Sequence, residues 1–205
     1  MPETNKPEID KPNGVAVGWQ RLTTDYPYTH PIFRIRRDKV RWPDGHVAPY
    51  TYVQGTGAVW VVPVTTEGQV VLIRQFRYTV DDWCWEVPAG GYHDFTGDPI
   101  DLAKRELAEE VGGESDDWHY VGSFRPGTSI IDELCHIVLA RGVRLDREPQ
   151  PEPGEIIQVH LVEPERALEM ARNGEIVDGH SALALLRCTS YLKPHPGHAG
   201  SEVEK

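Results

Sequence analysis

The stretch "WEVPAGGYHDFTGDPIDLAKRELAEEVGG", residues 85–113, decides how the chain is read, because a proline- and glycine-containing loop runs into a helix with a clear start and stop. Asp98 can cap that helix, Pro99 suits its first turn, and Asp101 adds negative charge near the positive end of the dipole. Gly112 supplies the C-terminal stop. At about 100° per residue, Glu106, Glu109 and Glu110 fall within an arc of roughly 100°, while Ile100, Leu107 and Val111 lie together on a separate face. One face suits a core and the other is acidic. Like charges at these spacings oppose each other by a few tenths of a kcal/mol per pair in water, and by more where solvent is excluded. "AKRELAEE" is also ordinary composition for a solvated helix, with Lys104 and Arg105 to soften the repulsion. A bound divalent cation would reverse the repulsion altogether.

Working outward, "AVWVVPV" from Ala58 and "QVVLIRQFRY" from Gln69 read as strands rich in β-branched residues, joined by the polar turn "TTEG". Before them, "PIFRIRRDKVRW" from Pro31 leads to Pro43, Asp44 and Gly45, a turn sequence that makes residues 32–54 a β-hairpin. After the helix, "HIVLARGV" from His136 and "IIQVHLV" from Ile156 are further strands. Residues 164–172 and 181–192 have helical character, with Gly174 as a second stop. Strands, helix, strands and helices in that order, without a fixed-period repeat, predict an α/β fold with a mixed central sheet covered by helices. The polar first 14 residues and the end "KPHPGHAGSEVEK" read as tails, the second carrying the "HPGH" imidazoles. The predicted division is 1–30 as N-terminal tail and lead-in, 31–54 as an N-terminal β region, 55–192 as the main domain and 193–205 as C-terminal tail.

Composition sets the limits. A chain of 205 residues with 39% hydrophobic content supports one substantial core rather than two ordinary domains. Lys and Arg total 21 against 32 Asp and Glu, and the net charge of -11 opposes non-specific binding to nucleic acid or to anionic membrane. A polyanionic substrate would need local help. Cys84, Cys135 and Cys188 are odd in number and far apart, with no CxxC pair, which fits a reducing cytoplasm better than a disulfide framework or zinc site. The N-terminus has no apolar central run, and no later segment approaches the roughly 20 apolar residues of a membrane span. A soluble cytoplasmic protein is expected.

With these residues in view, the chain resembles the Nudix hydrolase family. That family's box is Gly, five residues, Glu, seven residues, then Arg-Glu-(aliphatic)-x-Glu-Glu-x-Gly-(aliphatic). Gly91 stands in the first position, and "RELAEEVG" from Arg105 to Gly112 matches the second half without a gap. "EVPAG" at 86–90 and "RQFRY" at 74–78 are similar to the ADP-ribose pyrophosphatase branch, and "RPGTSIIDE" and "GEIIQVHLVEPERALEMARNGEI" follow in that branch's order. The likeness covers roughly residues 32–190, and several motifs in order are far more specific than one. Two positions depart: Gly97 occupies the place of the box's first Glu, with Asp98 beside it, and Gly113 occupies the final aliphatic place.

The resemblance implies a Nudix-type α/β/α sandwich and Mg²⁺-dependent hydrolysis of a nucleoside diphosphate sugar, with ADP-ribose yielding AMP and ribose 5-phosphate and Mn²⁺ as an alternative cation. It makes Glu106 and Glu110 the principal metal ligands, with Glu109 sharing a metal or orienting water and the Ala89 carbonyl adding an oxygen. Carboxylate oxygens suit a hard divalent cation. The general base falls to Glu155 or Glu152 in "QPEPGEII", with Glu133 in "SIIDEL" as competitor. Arg77, Arg125, Glu86 and Glu133 are the candidate substrate contacts, the arginines because a guanidinium binds phosphate oxygens bidentately. By the same likeness the hairpin at 32–54 forms a homodimer. Gly97 keeps a second function in view, a non-catalytic module that senses a nucleotide sugar.

Overall fold

Strand structure begins earlier than the hairpin signal placed it. In the computed structural model of the chain, which describes residues 14–92 and 97–192, the supposed lead-in already holds a strand, β1 (Gln20–Thr29). The predicted hairpin follows as β2 (Phe33–Arg41) and β3 (Val47–Gly55). β2 pairs antiparallel with both, from Gln20 opposite Arg41 on one side and from Phe33 opposite Gly55 on the other. The turn works as its residues suggest: Gly45 takes φ 87°, and Asp44 Oδ1 accepts the His46 N–H at 2.9 Å. Along β2, buried Arg36, Asp38 and Val40 alternate with exposed Arg37, Lys39 and Arg41, the period of two that fixes strand register. The buried guanidinium is held by its neighbour, Arg36 Nε donating to Asp38 Oδ1 at 2.9 Å, and Thr24 donates to the same oxygen at 2.6 Å. β1 was missed because seven of its ten residues are exposed, so it lacks an apolar alternation to read.

Eight further strands and four α-helices follow. They are β4 (Ala58–Thr65), β5 (Val70–Arg77), β6 (Asp82–Glu86), β7 (Ala89–Gly91), α1 (Pro99–Val111), β8 (Asp117–Phe124), β9 (Ile131–Asp132), β10 (Cys135–Val143), β11 (Ile157–Val162), α2 (Pro164–Asn173), α3 (Gly179–Arg187) and α4 (Thr189–Leu192). β9 adds to β3 in parallel and completes a four-stranded mixed sheet in the order β1-β2-β3-β9. The larger sheet runs β11-β5-β4-β10-β8, with β6 on β5 and β7 on β4. Two compact units result, one of Met1–Ala58, Gly91–Gly97 and Ser123–Cys135, the other of Val59–Gly90, Asp98–Gly122 and His136–Lys205. Residues 1–13 of the first tail and the whole of 193–205, with the "HPGH" histidines, lie outside the described residues.

In the second unit the core is the sheet interior. Val59, Val61, Val62, Val70, Val71, Leu72, Ile73 and the run Ile137–Ala140 are wholly buried, which is the continuous apolar pattern of strands covered on both faces. α1 adds Leu102, Ala103, Leu107 and Val111. Its ends are those the sequence marks: Asp98 accepts the Ile100 N–H at 2.7 Å, and Gly112 takes a left-handed φ of 65°. The predicted final helix is divided, α3 ending at Arg187 and Cys188 separating it from α4. The three cysteines are buried and none forms a disulfide. No helix among the described residues is long and apolar enough to cross a membrane.

Candidate active site

The three glutamates of α1 do not share one environment. Glu110 is buried to 3% exposure and Glu106 to 8%, so their carboxylates lie on the inner side of the acidic arc, whereas the side chain of Glu109 is about two-fifths exposed. Each inner carboxylate has one clear partner. Glu110 Oε2 accepts the Ala89 N–H at 3.0 Å, and Glu106 Oε1 accepts from Arg105 Nη2 at 2.9 Å. Glu109 Oε2 lies 3.8 Å from Arg105 Nε. The amide of Ala89, rather than its carbonyl, is therefore the group bonded to the helix. The backbone comes this close because residue 90 is glycine: a Cβ there would fall on the Glu106 carboxylate. Gly90→Ala is accordingly expected to displace Glu106 and to lower kcat/KM about a hundredfold, the scale of a misplacement of about 1 Å at a reacting centre. Steady-state kinetics beside a melting curve would check it.

Glu155 joins the same electrostatic system. Burial raises the proton affinity of Glu106 against the opposing bond and charge of Arg105, and the charges of Glu109 and Glu155 add to the rise. Burial also drives the Glu110 pKa well above the carboxylate range; the Ala89 N–H opposes this, Glu106 and Glu155 reinforce it, and the charge of Arg77 opposes it. Glu155 is itself held, its Oε2 accepting the Glu152 N–H at 2.7 Å. Glu152 thus contributes its backbone, and its side chain is exposed. The segment that carries them is tied to the helix end: Gln150 N–H donates to the Glu109 carbonyl at 2.7 Å and Arg147 N–H to that of Gly112 at 3.3 Å.

The remaining candidates have partners of their own. Arg77 and Glu86 form a fork, Nε to Oε1 at 2.8 Å and Nη2 to Oε2 at 2.5 Å, and this bonding raises the Arg77 pKa against the effect of burial. In the first unit, Arg125 Nη1 donates to Asp132 Oδ1 at 2.9 Å, and the Glu133 side chain rests on Gly55. Gly97, also there, takes φ +134°, a conformation that L side chains rarely adopt, so glycine in place of the box's first Glu has a backbone reason.

Among the described residues no three His, Cys, Asp or Glu side chains are already gathered as a metal cage. The donor chemistry nevertheless fits a hard cation. Burial raises the proton affinity of both Glu106 and Glu110, neighbouring carboxylates add to the rise at each, and all the donor atoms are oxygens.

Comparison with known proteins identifies the domains. The chain matches the NUDIX domain over residues 55–181 and the Nucleoside diphosphate sugar hydrolase N-terminal domain over residues 19–53. It is 30% identical over 185 residues to an ADP-ribose pyrophosphatase of Mycobacterium tuberculosis, covering 87% of this chain and 88% of the relative. A Bacillus subtilis ADP-ribose pyrophosphatase is 30% identical over 149 residues, covering 72% and 80% respectively. The crystal structure of an ADP compounds hydrolase shares the fold with a TM-score of 0.73 over 85% of this chain and 94% of that one, at 17% identity.

Proposed function

The chain belongs to the Nudix hydrolase family, and from that membership we propose that it cleaves the pyrophosphate of a nucleoside diphosphate sugar, taking ADP-ribose and water to AMP and ribose 5-phosphate. One observation carries the reading: the buried Glu106 and Glu110 carboxylates of one helix, the second bonded to the Ala89 amide, both feel the charge of Glu155 from a separate segment. Glu106 and Glu110 would hold Mg²⁺, or Mn²⁺ in its place, with Glu109 at the edge of the site. The cation supplies neutralisation of the diphosphate and polarisation of its oxygens, which a chain of net charge -11 otherwise lacks. Glu155 is the general base, taking the proton of the water that attacks one phosphorus as the bridging oxygen leaves on the other phosphate. Its fixed Oε2 leaves the carboxylate oriented by the Glu152 amide. Arg77 can pass hydrogen bonds from Glu86 to a phosphate oxygen, since its side chain is 41% exposed. Arg125 and Glu133 are proposed as contacts to the sugar or base end. In the same reading residues 31–54 join two copies as a homodimer, and three buried cysteines outside any disulfide suit a cytoplasmic setting.

The test is a panel of ADP-ribose, GDP-mannose, ADP-glucose and a dinucleotide, each incubated with Mg²⁺ and product phosphate read through a coupled phosphatase. ADP-ribose should be cleaved fastest. Faster cleavage of another sugar nucleotide would transfer the assignment to that compound. No cleavage, with tight nucleotide binding retained, would replace hydrolysis by the sensing role that Gly97 keeps in view.

A further inference from the structure

The segment 86–89 carries both Glu86 and the Ala89 amide, and it is anchored from a distant part of the chain. Ser181, in the first turn of α3 and wholly buried, accepts the Val87 N–H at 3.1 Å through its Oγ. The same hydroxyl donates to Asp178 Oδ2 at 2.6 Å, and the Ser181 N–H donates to that oxygen at 2.8 Å. A carboxylate can only accept, so the single hydroxyl proton is directed at Asp178 and an oxygen lone pair is left for Val87. The carboxylate is secured in turn. His180 Nδ1 stands 3.3 Å from Asp178 Oδ1, and the His180 ring stacks on Trp60 with centroids 4.5 Å apart. Burial alone would raise the Asp178 pKa, but the bonds from His180 and Ser181 outweigh it and hold the group at about 2. Asp178 also lends its charge to Arg77, the partner of Glu86.

Immediately before Val87, Glu86 forks to Arg77; two residues after it, the Ala89 N–H meets Glu110. We propose that Ser181, aimed by Asp178, is a positioning residue of the hydrolytic site, whose hydroxyl fixes the 86–89 segment so that the Ala89 amide stays in register with Glu110. This rests on the reading of that site as hydrolytic. Ser181 touches no reacting atom; it acts through Val87.

The experiment pairs kinetics with amide hydrogen exchange. Ser181→Ala should lower kcat about ten- to a hundredfold with KM within about twofold, because alignment rather than binding is lost. Exchange at the Val87 and Ala89 amides should rise about tenfold or more, as a local opening becomes easier. Asp178→Asn removes the charge that aims the hydroxyl and should give the same pattern to a smaller extent; it stands in if Ser181→Ala does not fold. A fall in melting temperature with wild-type kcat and unchanged Val87 and Ala89 exchange would overturn the proposal. Should the wild-type protein cleave no sugar nucleotide while exchange still rises in Ser181→Ala, the hydrolytic reading falls and takes the catalytic part of this proposal with it. The anchoring contact would survive that outcome.

Discussion

Glu110→Gln is expected to abolish turnover while raising the melting temperature of the metal-free protein. The substitution keeps an oxygen for the Ala89 N–H, so the contact at 3.0 Å can persist. What disappears is a charge in a site that is 3% exposed and already faces Glu106 and Glu155. Losing the carboxylate proposed to hold the cation should remove several kcal/mol of transition-state stabilisation, or about a thousandfold in kcat. The stability effect has the opposite sign. The pKa of Glu110 is raised in the folded chain, so at pH values above it the native state must carry an unfavourable charge that the unfolded chain carries freely. That penalty fades as pH falls through the folded pKa and is gone near the unfolded value of about 4.3. The variant should therefore melt higher than wild type at pH 8, with the gap closing toward acid. Each kcal/mol is worth about 2–4 °C for a chain of this size. Wild-type kcat in the variant, or a lower melting temperature at every pH, would sink the assignment of Glu110.

Removing the divalent cation should have an equally large effect. EDTA is expected to extinguish ADP-ribose cleavage and excess Mg²⁺ to restore it, since the carboxylate face otherwise repels the diphosphate. Without substrate, Mg²⁺ at about a hundred times its dissociation constant should stabilise the fold by about 2.7 kcal/mol, read as a rise of several degrees in melting temperature. On the proposed reading, cation and proton would compete for Glu106 and Glu110, whose raised pKa values favour the proton as pH falls. The rise should thus be larger at pH 8 than at pH 6, and Glu110→Gln should lose most of it. Undiminished cleavage in EDTA would exclude a metal-assisted mechanism.

Local chemistry made part of this legible. Asp98, Pro99 and Gly112 bound α1 in the sequence because caps depend on neighbouring residues, and they do so in the structure. The strands at 58, 69, 136 and 156 were readable for the same reason, each carrying its own apolar run. β8 was not, because it is an edge strand of the larger sheet whose residues are mostly exposed or half-buried. The break between α3 and α4 at Cys188 has neither Gly nor Pro to mark it. Glu106, Glu109 and Glu110 stood out by helical spacing, but the approach of Glu155 required the loop to close. Ser181 had no signal at all: its bond to Val87 spans 94 residues, and a serine near a helix start ordinarily reads as a cap.

The fastening of residues 147–150 to the end of α1 also bears on how such a protein can change. Both bonds are main chain to main chain, Gln150 to Glu109 and Arg147 to Gly112, and a Cβ at Gly112 would collide with the Arg147 carbonyl. Loop and helix are therefore joined without recourse to the side chains of Glu148 and Pro151 between them. Side chains there can change and leave the fastening in place, with Gly112 as the residue on which it depends.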